Sequence, residues 1–142
     1  MLRKLIAQVA MVTAISGAAQ AEEHVVQMLN RGEAGTMVFE PGFIHAQVGD
    51  TIRFVPKDKG HNAELIKGMA PEGAARFSGK INEEYTVTLE TEGVYGVMCK
   101  PHFAMGMVMT IAIGEVEAPA SFLEGRLPRT AKARFEEQLS NL

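Results

Sequence analysis

At 142 residues, with 46 % apolar and 22 % charged side chains, the chain has the make-up of one globular domain with a real core rather than of a disordered or low-complexity segment. Its formal net charge of −3 excludes a general nucleic-acid binder, which needs a basic surplus. A lone cysteine, Cys99, excludes a disulfide framework within the chain.

The first element in chain order is an address. Arg3 and Lys4 precede an apolar run from Leu5 to Ile15, broken only by Gln8 and Thr13, and Ala19-Gln20-Ala21 closes it with an A-x-A pattern. This predicts a secretory signal peptide over residues 1–21, cut after Ala21. The run is shorter than the ~20 residues a membrane span needs, and no later segment is longer, so no membrane insertion is expected. The remainder, 22–142, reads as one soluble domain exported to the periplasm. Export makes Cys99 unusual, because exported cysteines normally pair. A single one must bond another chain, stay buried and free, act as a nucleophile or hold a metal.

Short strands separated by turns follow. HVVQML (24–29) is apolar and is followed by the polar turn NRGEAG. TMVFE (36–40) runs into Pro41-Gly42, a turn dipeptide. FIHAQV (43–48) alternates, with Phe43, His45 and Gln47 on one face and Ile44, Ala46 and Val48 on the other; TIRFV (51–55) alternates again after Gly49-Asp50. PKDKG (56–60) is a loop and HNAELI (61–66) a short strand. Residues 67–82 read as a long irregular loop with one helical turn near Pro71–Phe77. EYTVTLE (84–90) alternates plainly, and GVYGVMC (93–99) and MVMTIAI (107–113) are apolar and β-rich. Such spacing predicts an all-β, Greek-key antiparallel sandwich, ending at about residue 117.

The tail, 118–142, changes character to Ala, Glu, Arg, Gln and Leu. Ser121 is placed to cap a short helix and Thr130 a longer one reaching about Leu139, with Ala131, Phe135 and Leu139 on one face. A C-terminal pair of short α-helices packed on the sandwich is expected.

The chemistry concentrates between the last two strands. Cys99, His102 and Met107 stand in the pattern C-x2-H-x4-M within one turn. Thiolate and thioether are soft donors and imidazole is borderline, unlike the oxygen ligands of magnesium or calcium. Two histidines, one cysteine and a weak axial methionine form the donor set of electron-transfer copper. That set needs a second histidine from His24, His45 and His61. His24 lies beside the new N-terminus and His45 in an alternating strand, whereas His61 begins a strand after a loop and is the choice on context. Met105 and Met109 compete with Met107 on composition alone.

GHNAELI and YGVMCKPHFAMGMVMTIAIG together resemble the type 1 copper proteins of the cupredoxin family, and within it the pseudoazurins, over essentially the whole mature chain. The resemblance implies one copper ion cycling between Cu(I) and Cu(II), held by His61, Cys99, His102 and Met107. It implies that Asn62 ties the ligand loops together and hydrogen-bonds near the thiolate. Pro101 has no backbone N–H, which leaves fewer hydrogen bonds at the sulfur and should raise the reduction potential. The implied function is a periplasmic one-electron carrier, not an enzyme, donating to a copper nitrite reductase or a related redox enzyme and reduced by an upstream donor. Electrons would pass at the edge of His102, set in an apolar patch of Pro101, Phe103 and Ala104 that Pro41 and Gly42 face. Lys57, Lys59 and Lys100, with Lys67 and Lys80, would ring that face, opposed by Glu83, Glu84, Glu90 and Glu92. Such a charge distribution steers association with an acidic partner.

Three rival readings fit less well. Catalytic Cys–His pairs usually come from distant parts of a chain, not from one turn. A structural zinc site has no use for methionine. A periplasmic copper chaperone or storage protein is the main alternative, and it would present exposed ligands that release metal.

Overall fold

A computed structural model describes residues 19–142. The expected signal peptide, up to residue 18, lies outside the described residues.

Alternation in the sequence becomes alternation in burial. In β3 (Phe43–Ala46) Ile44 and Ala46 are buried while His45 is exposed, and in β4 (Thr51–Pro56) Ile52 and Phe54 are buried. The other strands are β1 (Glu23–Gly32), β2 (Gly35–Glu40), β5 (Glu64–Leu65), β6 (Tyr85–Thr88), β7 (Gly93–Met98) and β8 (Val108–Ile113). They form two four-stranded sheets, ordered β2-β1-β4-β6 and β3-β8-β7-β5. The first sheet contributes Val26, Phe39 and Phe54 to the core between them, and the second Ile44, Val97 and Ile111.

The sandwich is the expected one, but not every neighbouring pair is antiparallel. β1 pairs with β4, and β3 with β8, in parallel. The cause is the path of the chain. After the β1–β2 hairpin it crosses to the second sheet as β3, then returns as β4 running in the direction of β1.

β8 is buried at all six positions. One face meets the sandwich core. The other lies under the C-terminal segment, where Val108 and Val94 pack with Phe122, Ala131 and Phe135. A strand covered on both faces reads as a continuous apolar run, which is why MVMTIAI does not alternate. Residues 67–82 form the irregular loop expected, although the helical turn near Pro71–Phe77 is reduced to one bond, from Ala74 N–H to Pro71 carbonyl at 3.2 Å. Phe77 anchors the loop in the core, its ring 6.2 Å from Phe54 and 5.9 Å from Tyr85.

The tail contains one α-helix, α1 (Arg129–Leu139), preceded by a single 3-10 turn at Ala120–Leu123. Neither Ser121 nor Thr130 caps it. Pro119 and Pro128 occupy the N-cap positions with no side-chain cap, and the restricted φ of proline sets the entry of each segment instead. The expected face is present: Ala131 and Phe135 are fully buried, and Phe135 meets Phe122 edge-on at 5.8 Å.

At the start of the sandwich, buried Asp50 gathers the chain. Its carboxylate accepts from the backbone N–H of Glu22 at 2.8 Å and of Gln47 at 2.9 Å, and lies 3.1 Å from His24 Nε2. The Glu22 amide above all, then those of Gln47 and the His24 ring, hold the carboxyl at about 2, below its ordinary 3.8. A depressed carboxylate stabilises the fold above its unfolded pKa, and that contribution fades as pH falls from about 4 through about 2. Asp50→Asn is therefore expected to lower the thermal midpoint at pH 7 and to flatten its fall between pH 4 and 2; parallel melting curves for the two proteins across that window would contradict this.

Candidate metal centre

The register of β7 on β8 builds the loop that carries most of the site. Met98 pairs with Val108 and Val97 with Met109, so the next residues out, Cys99 and Met107, stand opposite each other. Cys99 N–H donates to the Met107 carbonyl at 3.0 Å, and Met107 N–H donates to the His102 carbonyl at 3.1 Å. Between them Lys100–Met105 form a 3-10 turn that starts with Pro101 in its first positions and closes on Gly106 at φ 87°, a left-handed conformation suited to glycine. A tightly hydrogen-bonded turn thus presents thiol, imidazole and thioether from one end of the sandwich.

His61 arrives from the loop after β4 and is fully buried. Its Nδ1 lies 3.1 Å from His102 Nδ1 and 3.6 Å from Cys99 Sγ, and His102 Nδ1 lies 3.5 Å from the same sulfur. A point equidistant from three atoms so spaced lies about 2 Å from each, close to the ~2.0–2.3 Å of metal bonds to imidazole nitrogen and thiolate. The three donors fit a first-row metal ion, and among the described residues they are the group of histidine, cysteine and carboxylate side chains able to hold one. With two imidazoles, one thiolate and no carboxylate, the donor set suits copper.

The three methionines now separate. Met105 is 49 % exposed, Met109 is buried within β8 opposite Val97, and Met107 is fully buried with its backbone bonded to both Cys99 and His102. His24 and His45 are engaged elsewhere: His24 with Asp50, and His45 Nε2 2.7 Å from the Gly114 carbonyl.

Asn62 joins the two loops. Its Oδ1 accepts from Lys100 N–H at 2.8 Å, while its Nδ2 donates to the Gly79 carbonyl at 3.0 Å and Glu64 Oε2 at 3.1 Å. The side chain therefore holds the ligand turn, while the backbone amides of Asn62 and His102 favour the thiolate of Cys99. Burial pushes the thiol up, and these two amides oppose that shift. Pro101 is exposed and adds no donor. Burial also lowers His61, followed by the neighbouring His102, which favours the neutral imidazole that a metal requires.

The sequence reading missed one orienting residue. Asn30, at the far end of β1, has Oδ1 2.8 Å from His61 Nε2. An amide oxygen only accepts, so Nε2 carries the proton and Nδ1 turns a lone pair toward the cysteine. Asn30 is held in turn by its own N–H, which donates to Asp58 Oδ2 at 2.7 Å. Nothing local in NRGEAG signals this role; it arises only because the end of β1 lies against the His61 loop.

The residues of the expected surface patch differ in exposure. Pro101 and Ala104 are exposed and His102 is half-buried at the surface, but Phe103 packs partly inward against the cluster beneath α1. Pro41 and Gly42 line a cavity of about 330 Å³ with Arg134 and Gln138 of α1.

Comparison with known proteins agrees with this geometry. The model of the family described as copper binding proteins, plastocyanin/azurin family, matches residues 26–114. The chain is 45 % identical over 139 residues to a pseudoazurin of Paracoccus pantotrophus, covering 97 % of this chain and 96 % of that protein. Among solved structures it resembles the pseudoazurin of Methylobacterium extorquens AM1 (38 % identity, TM-score 0.79, 84 % of this chain and 98 % of that one). It also resembles the native pseudoazurin of Hyphomicrobium denitrificans (38 % identity, TM-score 0.75, 84 % and 98 %).

Removing the partner that orients a ligand histidine typically weakens metal binding by about 10–100-fold. Asn30→Ala should do so here, measured by competition with a chelator of known affinity; unchanged affinity would show that His61 needs no such support.

Proposed function

Because the chain belongs to the plastocyanin/azurin family of copper-binding proteins and, within it, to the pseudoazurins, we propose that His61, Cys99, His102 and Met107 together hold its single type 1 copper ion. The protein is a blue copper electron carrier rather than an enzyme. We further propose that it works in the periplasm, taking electrons from an upstream donor and delivering them to a copper nitrite reductase or a related redox enzyme.

The observation that carries the reading is the convergence of His61 Nδ1, His102 Nδ1 and Cys99 Sγ from two separate loops to within 3.6 Å of one another. Bound copper supplies a Cu(I)/Cu(II) couple. The protein's part is to keep the donors still, because any rearrangement between the two states would add to the barrier for electron transfer. Asn30 fixes the His61 ring, Asn62 fixes the ligand turn, and the backbone bonds of Met107 close it. Burial of Cys99, His61 and Met107 excludes water from the donors. His102 alone of the four reaches the surface, which makes its ring edge the contact for a partner. Pro101 offers no N–H to the sulfur, which favours a raised potential.

Exposed Lys57, Lys59 and Lys100 belong to the two loops that carry His61 and His102. They support docking on an acidic partner surface, with association slowed by salt. The rate of electron transfer to a copper nitrite reductase should fall as ionic strength rises, and a rate indifferent to salt would remove the steering.

The start of the domain accommodates the proposed cleavage site. Glu22 N lies 2.8 Å from Asp50 Oδ1. Cleavage after Ala21 would turn that amide into an ammonium group, so the processed chain would set a charged donor, in place of an uncharged one, against the Asp50 carboxylate. No helix among the described residues is long and apolar enough to cross a membrane.

The deciding experiment is addition of Cu(II) to the mature protein. An intense blue or green thiolate-to-copper band that bleaches on reduction and returns on oxidation is expected, and Cys99→Ser should abolish it. A colourless complex, or loss of the metal at each redox cycle as in a chaperone or storage protein, would overturn the proposal.

A further inference from the structure

We infer that Arg134, on α1, is a positioning residue for the metal centre: its guanidinium pins the peptide that enters Met107 and so helps set how the thioether approaches the metal. The inference rests on the ligand set proposed above.

Three bonds carry it. Arg134 Nη1 donates to the Gly106 carbonyl at 2.7 Å and to the Met37 carbonyl at 2.7 Å, and Nη2 donates to the Thr36 carbonyl at 2.8 Å. All three acceptors are backbone groups, two on β2 and one in the ligand turn. The rigid fork of a guanidinium can serve several carbonyls at fixed angles, which a lysine ammonium cannot do with the same geometry.

The Gly106 carbonyl belongs to the same planar peptide unit as the Met107 N–H. Arg134 holds one end of that plane, and the His102 carbonyl, accepting from Met107 N–H at 3.1 Å, holds the other. The peptide plane leaving Met107 is held by Cys99 N–H at the Met107 carbonyl. Both planes that flank the Met107 α-carbon are therefore fixed, and with them the direction of its side chain. Of these bonds, only the one from Arg134 comes from outside the turn. The helix fits closely against the turn as well: a β-carbon on Gly106 would lie 2.6 Å from Thr130 Cγ2. The C-terminal helix is thereby coupled to the axial side of the site through one side chain.

The test compares Arg134→Ala and Arg134→Lys with Phe135→Leu, which loosens the same helix at its buried face and leaves the bond to the Gly106 carbonyl in place. In the copper-loaded proteins the readouts are the reduction potential and the intensity ratio of the thiolate-to-copper bands. In the metal-free proteins the readout is hydrogen exchange at the Met107 amide. Arg134→Ala should shift the potential and the band ratio and speed exchange at Met107 by about tenfold or more, the scale expected for losing a hydrogen bond to a charged group. Arg134→Lys should shift both in the same direction by less, and it keeps the test open if the alanine variant does not fold. Phe135→Leu should lower thermal stability and leave the potential and band ratio in place. An unmoved potential and band ratio in the arginine variants, or an equal shift in Phe135→Leu, would overturn the inference. Absence of the intense band from the unmodified protein would instead defeat the ligand assignment itself.

Discussion

The hydrogen bonds across the mouth of β7 and β8 are the constraint from which the site follows. Cys99 N–H to Met107 carbonyl and Met107 N–H to His102 carbonyl turn a stretch of open chain into a closed loop whose side chains share one direction. A thiol, an imidazole and a thioether spaced along a flexible segment would meet at a single point only at a large entropic cost. Here that cost is met in folding, because the loop is an extension of a β-ladder already formed for other reasons. Asn62 extends the same closure to His61, and Asn30 gives that ring its orientation.

Two-sided burial of β8 makes this possible. The strand is covered by the sandwich core on one face and by the 3-10 turn and α1 on the other, so the loop that feeds it emerges from a strand buried along its whole length. The C-terminal helix is then more than a cover over an exposed apolar face. Through Phe135 it seals the strand, and through Arg134 it reaches the turn itself. Support of the ligand turn and stability of the domain thus share the same contacts.

What could be read from the sequence was whatever is encoded by near neighbours. Cys99, His102 and Met107 lie within one turn, and their residue types define a soft donor set without knowledge of the fold. Strand positions such as Ile44 against His45 follow from alternation, as does the buried face of Ala131 and Phe135. His61 required a choice among three histidines, and context with the family resemblance favoured it. Asn30 and Arg134 were not legible, because an asparagine in a polar turn and an arginine on an amphipathic helix look like surface residues until distant elements are brought against them. The same limit applies to Phe103, which is half-buried, one side packed against the cluster beneath α1. It explains the helix starts too, where Pro119 and Pro128 override the capping preference of Ser121 and Thr130, and the parallel pairings, which depend on the crossing of the chain between sheets.

The central claim is that the fold, not the metal, holds the donors in place. X-ray absorption of the copper-loaded protein in its oxidised and reduced forms tests this most directly. The account predicts one short sulfur neighbour and two nitrogen neighbours in both states, at distances that change little on reduction. Loss of a nitrogen or sulfur neighbour on reduction, or a marked change in their distances, would contradict it.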